Sequence, residues 1–452
     1  MVRDGVTHAL DERLALAGIS EPEVERKTRL FARASTALAR RQMLRLWVPG
    51  RIEFLGKHTD YAGGRSLVCA VERGFAVVAS PRDDRLVRLT DAVSGDHVEI
   101  ELNPSIAPAD GAWENYAITV VRRIARNFPG PLRGADIAFA SDLPPAAGLS
   151  SSSALVVAVF LTLADLNALA SRDEYRRAIT SADDLAGYLG AVEGGAAFRS
   201  LAGDRGVGTF SGSQDHTAIL CSRAGALVQY AFAPVHYERT VPLPADHVFV
   251  IGASGVLAEK TGSALELYNR QARRVYALLD RWRSATGRDD PTLGAVLATS
   301  DAALDQLRAI VRDPAVHTFS TDGFDVSDLM TRLDQFATES REIIPAAGDA
   351  LERGDLVTLG ELVDRSQRGA EQLLGNQVPE TFHLVRSARA LGAAAASAFG
   401  AGFGGSVWAL VRRDEAEGFD RCWREAYEAR FPEHVGRSTF FSTSAGPAAM
   451  RL

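Results

Sequence analysis

The chain predicts an α+β fold of two domains. Three observations carry this. Strands cluster early and helices late instead of alternating, a stretch near 232–244 turns rich in Pro and His, and the 452 residues suit two domains of ordinary size. Residues 1–44 read as an N-terminal helical extension. Glu21-Pro22-Glu23 has the Pro and acids of a helix start, and the Arg-rich stretch from Arg26 to Arg45 carries few large apolar residues, so it reads as a solvated amphipathic surface helix. Domain 45–240 opens with a short strand, Leu46–Val48, that runs into Pro49-Gly50. Strands follow at 66–80, 86–89, 97–102 and 137–140, with helices at 113–128 and from Ser150 onward. Domain 245–452 starts with the strand 247–251. Helices then fill about 262–395, with the Ala393–Ala396 run inside a helix, before a Gly-rich loop, a strand at 406–411 and a helix at 414–430.

Composition narrows the function. Apolar residues are 46% and charged residues 24%, which excludes disorder over most of the chain. The net charge of −7 argues against a general nucleic-acid binder. Cys69, Cys221 and Cys422 lie far apart without CxxC spacing, which argues against a disulfide scaffold or zinc cluster and suits a reducing cytosol. The first residues carry charges and no apolar signal core. The apolar run from Ala154 to Ala164 ends at Asp165, short of the roughly 20 residues a membrane span needs. The expectation is a cytoplasmic protein, a monomer or weak dimer, with neither nucleic-acid nor membrane partner.

A telling subset of the 40 glycines gathers in three polar loops. The first, Gly50 to Gly64, holds Arg51, Lys57, His58 and Asp60; it reads as a ligand loop or as an exposed turn with local ion pairs. The second, Leu143 to Ala154, delivers Ser150, Ser151, Ser152 and Ser153 to a helix start after Gly148-Leu149. Free N–H groups and the helix dipole favour anions there, and four serines exceed what one cap requires. The third, Gly400 to Gly405, packs four glycines into six residues, with a helix before and a strand after, so it is not the dinucleotide fingerprint.

Together and in this order the loops resemble the GHMP kinases, and within them the galactokinase branch. The signature G-R-x-N-x-I-G-E-H-x-D-Y-x-x-G is similar to Gly50-Arg51-Ile52-Glu53-Phe54-Leu55-Gly56-Lys57-His58-Thr59-Asp60-Tyr61-Ala62-Gly63-Gly64. The serine loop resembles G-L-S-S-S, and the third loop G-x-G-F-G-G. The resemblance implies the two-domain GHMP kinase fold with its active site in the inter-domain cleft, ATP and Mg2+ as cofactors, and a monosaccharide substrate phosphorylated on the anomeric C1 hydroxyl. It implies Asp215 as the acceptor of the sugar hydroxyl's proton and Arg51 as the arginine near that hydroxyl and the transferring phosphoryl group. It also implies Ser152 and Glu193 at Mg2+, with Gly148, Leu149, Ser150, Ser151 and Ser152 at the phosphates. Lys57, His58, Asp60, Tyr268 and Gly404 would line the sugar. Trp113 either lies near the adenine or belongs to the core. Phosphoryl transfer needs positioning and charge stabilisation, which these residue types supply. The other reading is a non-catalytic galactokinase-like sensor of sugar and ATP acting through a protein partner; the intact serine run, Arg51 and Asp215 favour the enzyme.

Two departures concern the substrate. Glu53 stands where the signature has Asn, and Lys57 where it has Glu. Lys offers three donors and no acceptor. Either Lys57 meets an anionic group such as a uronic acid, or it pairs with Glu53 and the sugar is neutral.

Overall fold

Large apolar residues, led by Leu, fill β1 (Leu44–Leu55), and small and Val residues dominate β2 (Arg65–Pro81); the two longest strands pair antiparallel from Leu44↔Ala79 to Leu55↔Leu67. The computed structural model describes residues 5–38, 44–109, 113–144, 147–257, 263–314 and 323–452. β1 does not stop at Pro49-Gly50, as the sequence led us to expect. The ladder shifts register between Pro49 and Arg51, where Pro lacks a donor, and then continues. Arg51 and Glu53 are therefore strand residues two apart, on one face.

Around β2 are β3 (Leu86–Asp91), β4 (His97–Glu101), β5 (Ala135–Ser141), β6 (Ala226–Ala231) and β7 (His236–Pro242). With the short C-terminal strands they make a nine-stranded sheet among the described residues, with β3 parallel to β5. The helices Glu114–Asn127, Ser151–Leu166 and Ala182–Gly194 cover one face with the main core.

The N-terminal helices Gly5–Leu16 and Glu21–Thr36 cover the other face, through Leu10, Leu14, Ile19 and Phe31 packed on Trp47, Val78 and Ala138. This corrects the solvated-helix reading. The inner stripe looked poor in apolar residues because Lys27, fully buried, takes a core position. Its ammonium lies 2.7 Å from Glu23 and 2.6 Å from Asp142, over the Trp47 ring.

The second sheet runs in the order β11 (Thr439–Thr443), β8 (His247–Ala253), β10 (Ser406–Arg412), β9 (Ala395–Phe399), all antiparallel. Its residues alternate between two cores. Val248, Val250, Val407 and Ala409 face the helices Pro379–Ala390 and Ala416–Arg430, while Phe249, Ile251, Trp408 and Leu410 join the main core. Phe54 of the first sheet stacks on Trp408 with ring centroids 4.2 Å apart, so one core runs through both domains. The Ala393–Ala396 expectation fails here. Gly392 closes the preceding helix with φ +97°, and Ala395 and Ala396 enter β9, where they pair with Leu410 and Ala409 of β10.

A third core, around Trp282, Leu307, Leu333 and Phe336, unites helices between residues 263 and 338 and grips the loop after β1 through Ala62. The chain finally returns to the first sheet, where β12 (Ala445–Gly446) pairs with β2 and β13 (Met450–Arg451) with β1. The last residues of the chain thus complete the first sheet and not the second. Among the described residues no helix is long and apolar enough to cross a membrane, and the three cysteines are free thiols.

Candidate active site

The three glycine loops converge. Ser406 Oγ donates to the Ala147 carbonyl, and the hairpin between β9 and β10 lays Gly400 on Gly148. Gly400 has φ +83°, and a Cβ on it would sit 3.1 Å from the Gly148 oxygen, so glycine serves both the conformation and the close approach. The third loop therefore follows a strand, not the helix expected before it. Beside this contact opens a cleft lined from both domains.

Arg51 and Asp215 meet at its floor. β1 supplies Arg51, 3% exposed, and the first turn of the helix Gln214–Cys221 supplies Asp215. Arg51 Nε donates to Asp215 Oδ1 at 2.7 Å, Ser150 Oγ donates to Oδ2 at 2.5 Å, and a second Arg51 nitrogen donates to the Gly148 carbonyl. Ser150 holds φ +57°, a left-handed conformation that places its hydroxyl on the aspartate just before the helix Ser151–Leu166 begins.

Next to this pair, Glu193 ends the helix Ala182–Gly194, buried at 1% exposure. Ser153 Oγ donates to Glu193 Oε2 at 3.0 Å and also lies 3.4 Å from Asp215 Oδ2. His216 Nε2 lies 3.3 Å from the same Glu193 oxygen. The serine joined to Glu193 is thus Ser153, whereas the sequence pointed to Ser152. Ser152 sits one residue back on the helix, turned about 100° away and half-buried.

The loop 56–64 closes the opposite wall. His58 holds φ +57°, fixed by Arg332 on its carbonyl, and its ring contacts Tyr268. Its Nε2 faces the Ala401 carbonyl at 3.1 Å and its Nδ1 the Tyr61 hydroxyl at 2.9 Å. A carbonyl can only accept, so Nε2 carries the proton and Nδ1 accepts from Tyr61. Asp60 accepts from the Gln214 N–H at 3.1 Å, which ties this loop to the helix bearing Asp215. Burial, reinforced by the nearby acids, pushes the Tyr268 phenol well above its usual range, so it is a neutral donor.

Lys57, Gly404 and Trp113 stand outside the lining of this cleft. Lys57 does not line the cleft: its ammonium donates to Ser397 Oγ of β9 at 2.8 Å, buried at 1% exposure. Burial pulls it below the usual lysine range, against Glu339, Glu53 and Glu371. Its hydrogen bond goes to Ser397 and not into the cleft, and Glu53 acts on it through charge alone. Lys57 ties the loop to the second domain. Gly404 packs against Val256, and Gly400 and Ala401 line the cleft in its place. Trp113 is half-buried against the main core, before the helix Glu114–Asn127, and is not among the lining residues.

Arg51, His58, Asp60, Asp215, Glu193 and Tyr268 all line this one cleft. Gly148 and Leu149 also act at the site through their carbonyls, Leu149 accepting from the Arg51 N–H at 3.1 Å. Sequence reasoning missed Ser153, Gln214, His216 and the second-domain supports Arg332, Glu339 and Ser397. Ser153 stood in the serine run, and Gln214 and His216 flanked Asp215. The supports lie hundreds of residues from their partners and carried no motif.

A phosphate-type loop at a helix start, an Arg–Asp pair and a carboxylate–hydroxyl pair define a small-molecule kinase cleft, and the comparisons agree. Residues 115–198 match the GHMP kinases N terminal domain, 349–429 the GHMP kinases C terminal domain, and 46–81 the galactokinase galactose-binding signature. A galactokinase of Roseiflexus sp. (strain RS-1) is 30% identical over 84% of this chain and 86% of its own, and one of Chloroflexus aggregans is 29% identical over 89% and 90%. The fold matches the crystal structure of Lactococcus lactis galactokinase complexed with galactose at TM-score 0.71, with 23% identity, 90% of this chain and 95% of that one covered. A mevalonate kinase matches at TM-score 0.53 and 13% identity, over 90% of this chain and 100% of its own. The chain belongs to the GHMP kinase superfamily, in its galactokinase branch.

Proposed function

We propose that this protein is a sugar kinase that transfers the γ-phosphoryl group of ATP to a monosaccharide, on the anomeric C1 hydroxyl. The observation that carries the reading is Asp215, held by Arg51 and Ser150 at the floor of a two-domain cleft. The sugar would lie between Asp215 and the wall of His58, Asp60 and Tyr268, its hydroxyl giving its proton to Asp215 as the oxygen attacks phosphorus. Arg51, bonded to Asp215 and to Gly148 of the serine loop, stands between base and phosphates and would counter charge on the transferring group. Gly148, Leu149 and Ser150 to Ser152, with the free N–H groups of the first helical turn, would cradle the phosphates.

The donor set suits Mg2+. Ser153 and Glu193 offer a hydroxyl and a carboxylate oxygen 3.0 Å apart, and a hard cation takes such oxygens together with phosphate oxygens. Among the described residues no group of three or more His, Cys, Asp or Glu could hold a metal alone, so this site would need the nucleotide to complete it. When bound, Mg2+ supplies charge neutralisation on the phosphates. Ser153→Ala is expected to raise the Mg2+ concentration for half-maximal rate by about tenfold, and Ser152→Ala by much less. A Mg2+ titration of both variants checks this, and the reverse order would return the metal to Ser152. Sugar-dependent ADP release over neutral, amino and acidic monosaccharides tests the function itself; release that no sugar stimulates would overturn it.

A further inference from the structure

We propose that Glu53 selects the substrate: its carboxylate reads a hydrogen-bond donor, hydroxyl or ammonium, on the bound sugar and excludes a carboxylate, so the cleft takes neutral and amino sugars and rejects uronic acids. The inference rests on the kinase reading for the location of the sugar, and on three observations for its content.

Glu53 is 3% exposed and lines the cleft from the same strand face as Arg51. Its Oε1 is buried without a hydrogen-bond partner. A buried carboxylate oxygen without a donor is unfavourable, and a ligand donor relieves that. The surrounding charge has one dominant sign, since Glu53, Asp60, Glu193 and Asp215 line the cleft against Arg51. Lys57, the cation that would have welcomed an acid, is engaged by Ser397 outside the lining. Burial, followed by the Asp215 and Asp60 charges, pushes the Glu53 carboxyl up to about 7, with Arg51 and Lys57 opposing, so the group is poised to gain from a donor. A uronate would bring a further anion among these carboxylates, a like-charge contact that strongly disfavours binding.

The test is calorimetric binding of galactose, galactosamine and galacturonate to the full chain, with and without a non-hydrolysable ATP analogue, alongside Glu53→Gln and Glu53→Asp. The parent is expected to bind galacturonate at least about tenfold more weakly than either other sugar. Glu53→Gln should shrink the galactosamine-to-galacturonate ratio by about tenfold, whereas Glu53→Asp should keep the parent's order. Thermal melts of both variants report folding, and should Glu53→Gln fail to fold, the parent's ratio and Glu53→Asp decide. Galacturonate binding as tightly as galactose, or an unchanged ratio in Glu53→Gln, overturns the assignment. Phosphorylation measured in parallel separates the two claims. The expected binding order without phosphoryl transfer removes the kinase reading and leaves Glu53 standing; transfer with no dependence on Glu53 does the reverse.

Discussion

Asp215→Asn is expected to lower kcat by about 10^3, within the range of roughly 10^2–10^4 for loss of a positioned general base, while nucleotide affinity changes little. The substitution keeps shape and removes basicity. The amide oxygen can still accept from Arg51, and the amide nitrogen can face Ser150, so the floor of the cleft keeps its packing. The attacking hydroxyl then has no carboxylate to receive its proton. The nucleotide loop is built from Gly148 to Ser152 and does not depend on that charge. Steady-state rates at saturating sugar and ATP, with nucleotide dissociation constants for parent and variant, check this. A variant within tenfold of the parent would remove Asp215 from the chemistry. Because Arg51 bonds Asp215 directly, Arg51→Met combined with Asp215→Asn should cost much less than the product of the single losses.

Glu53→Gln is expected to change how the unliganded protein's stability depends on pH. Burial raises the Glu53 carboxyl from 4.5 to about 7, so between those values the folded chain binds a proton that the unfolded chain releases. Stability from this group is therefore intact below pH 4.5 and falls as pH rises to about 7. The loss approaches about 3 kcal/mol at pH 8, since each pH unit between the unfolded and folded values is worth about 1.4 kcal/mol. Glutamine has no proton to lose. Relative to parent, the variant should gain roughly 3 °C of melting temperature on going from pH 5 to pH 8, given the large unfolding entropy of a chain this size. Melts at the two pH values measure it; a gap between variant and parent that does not change with pH would contradict the burial argument. Glu53 is thus a site where stability is given up for a group that faces the ligand.

The sequence exposed the site better than it exposed what supports the site. Arg51, His58, Asp60 and Asp215 sit in short motifs, and one strand, one turn and one helix start carry them into the cleft. The Ser397 contact of Lys57 was not legible because a side chain's direction depends on what packs behind it, and Ser397 lies 340 residues away. Ser152 and Ser153 are adjacent in a uniform run, and only the helical phase separates them. The Ala393–Ala396 run favoured a helix by propensity, and pairing with β10 overrode it. The N-terminal helices were read as solvated because a buried, doubly paired Lys27 looks like a surface residue in one dimension.

The most direct test of the central claim is the product. Parent protein with Mg2+-ATP and galactose, followed by phosphorus NMR, should convert the γ-phosphate resonance into that of a sugar phosphate coupled to the anomeric proton. In Asp215→Asn the conversion should be slower by about 10^3. Loss of ATP to free inorganic phosphate at a rate indifferent to sugar, or a sugar phosphate formed equally fast by the variant, would contradict it.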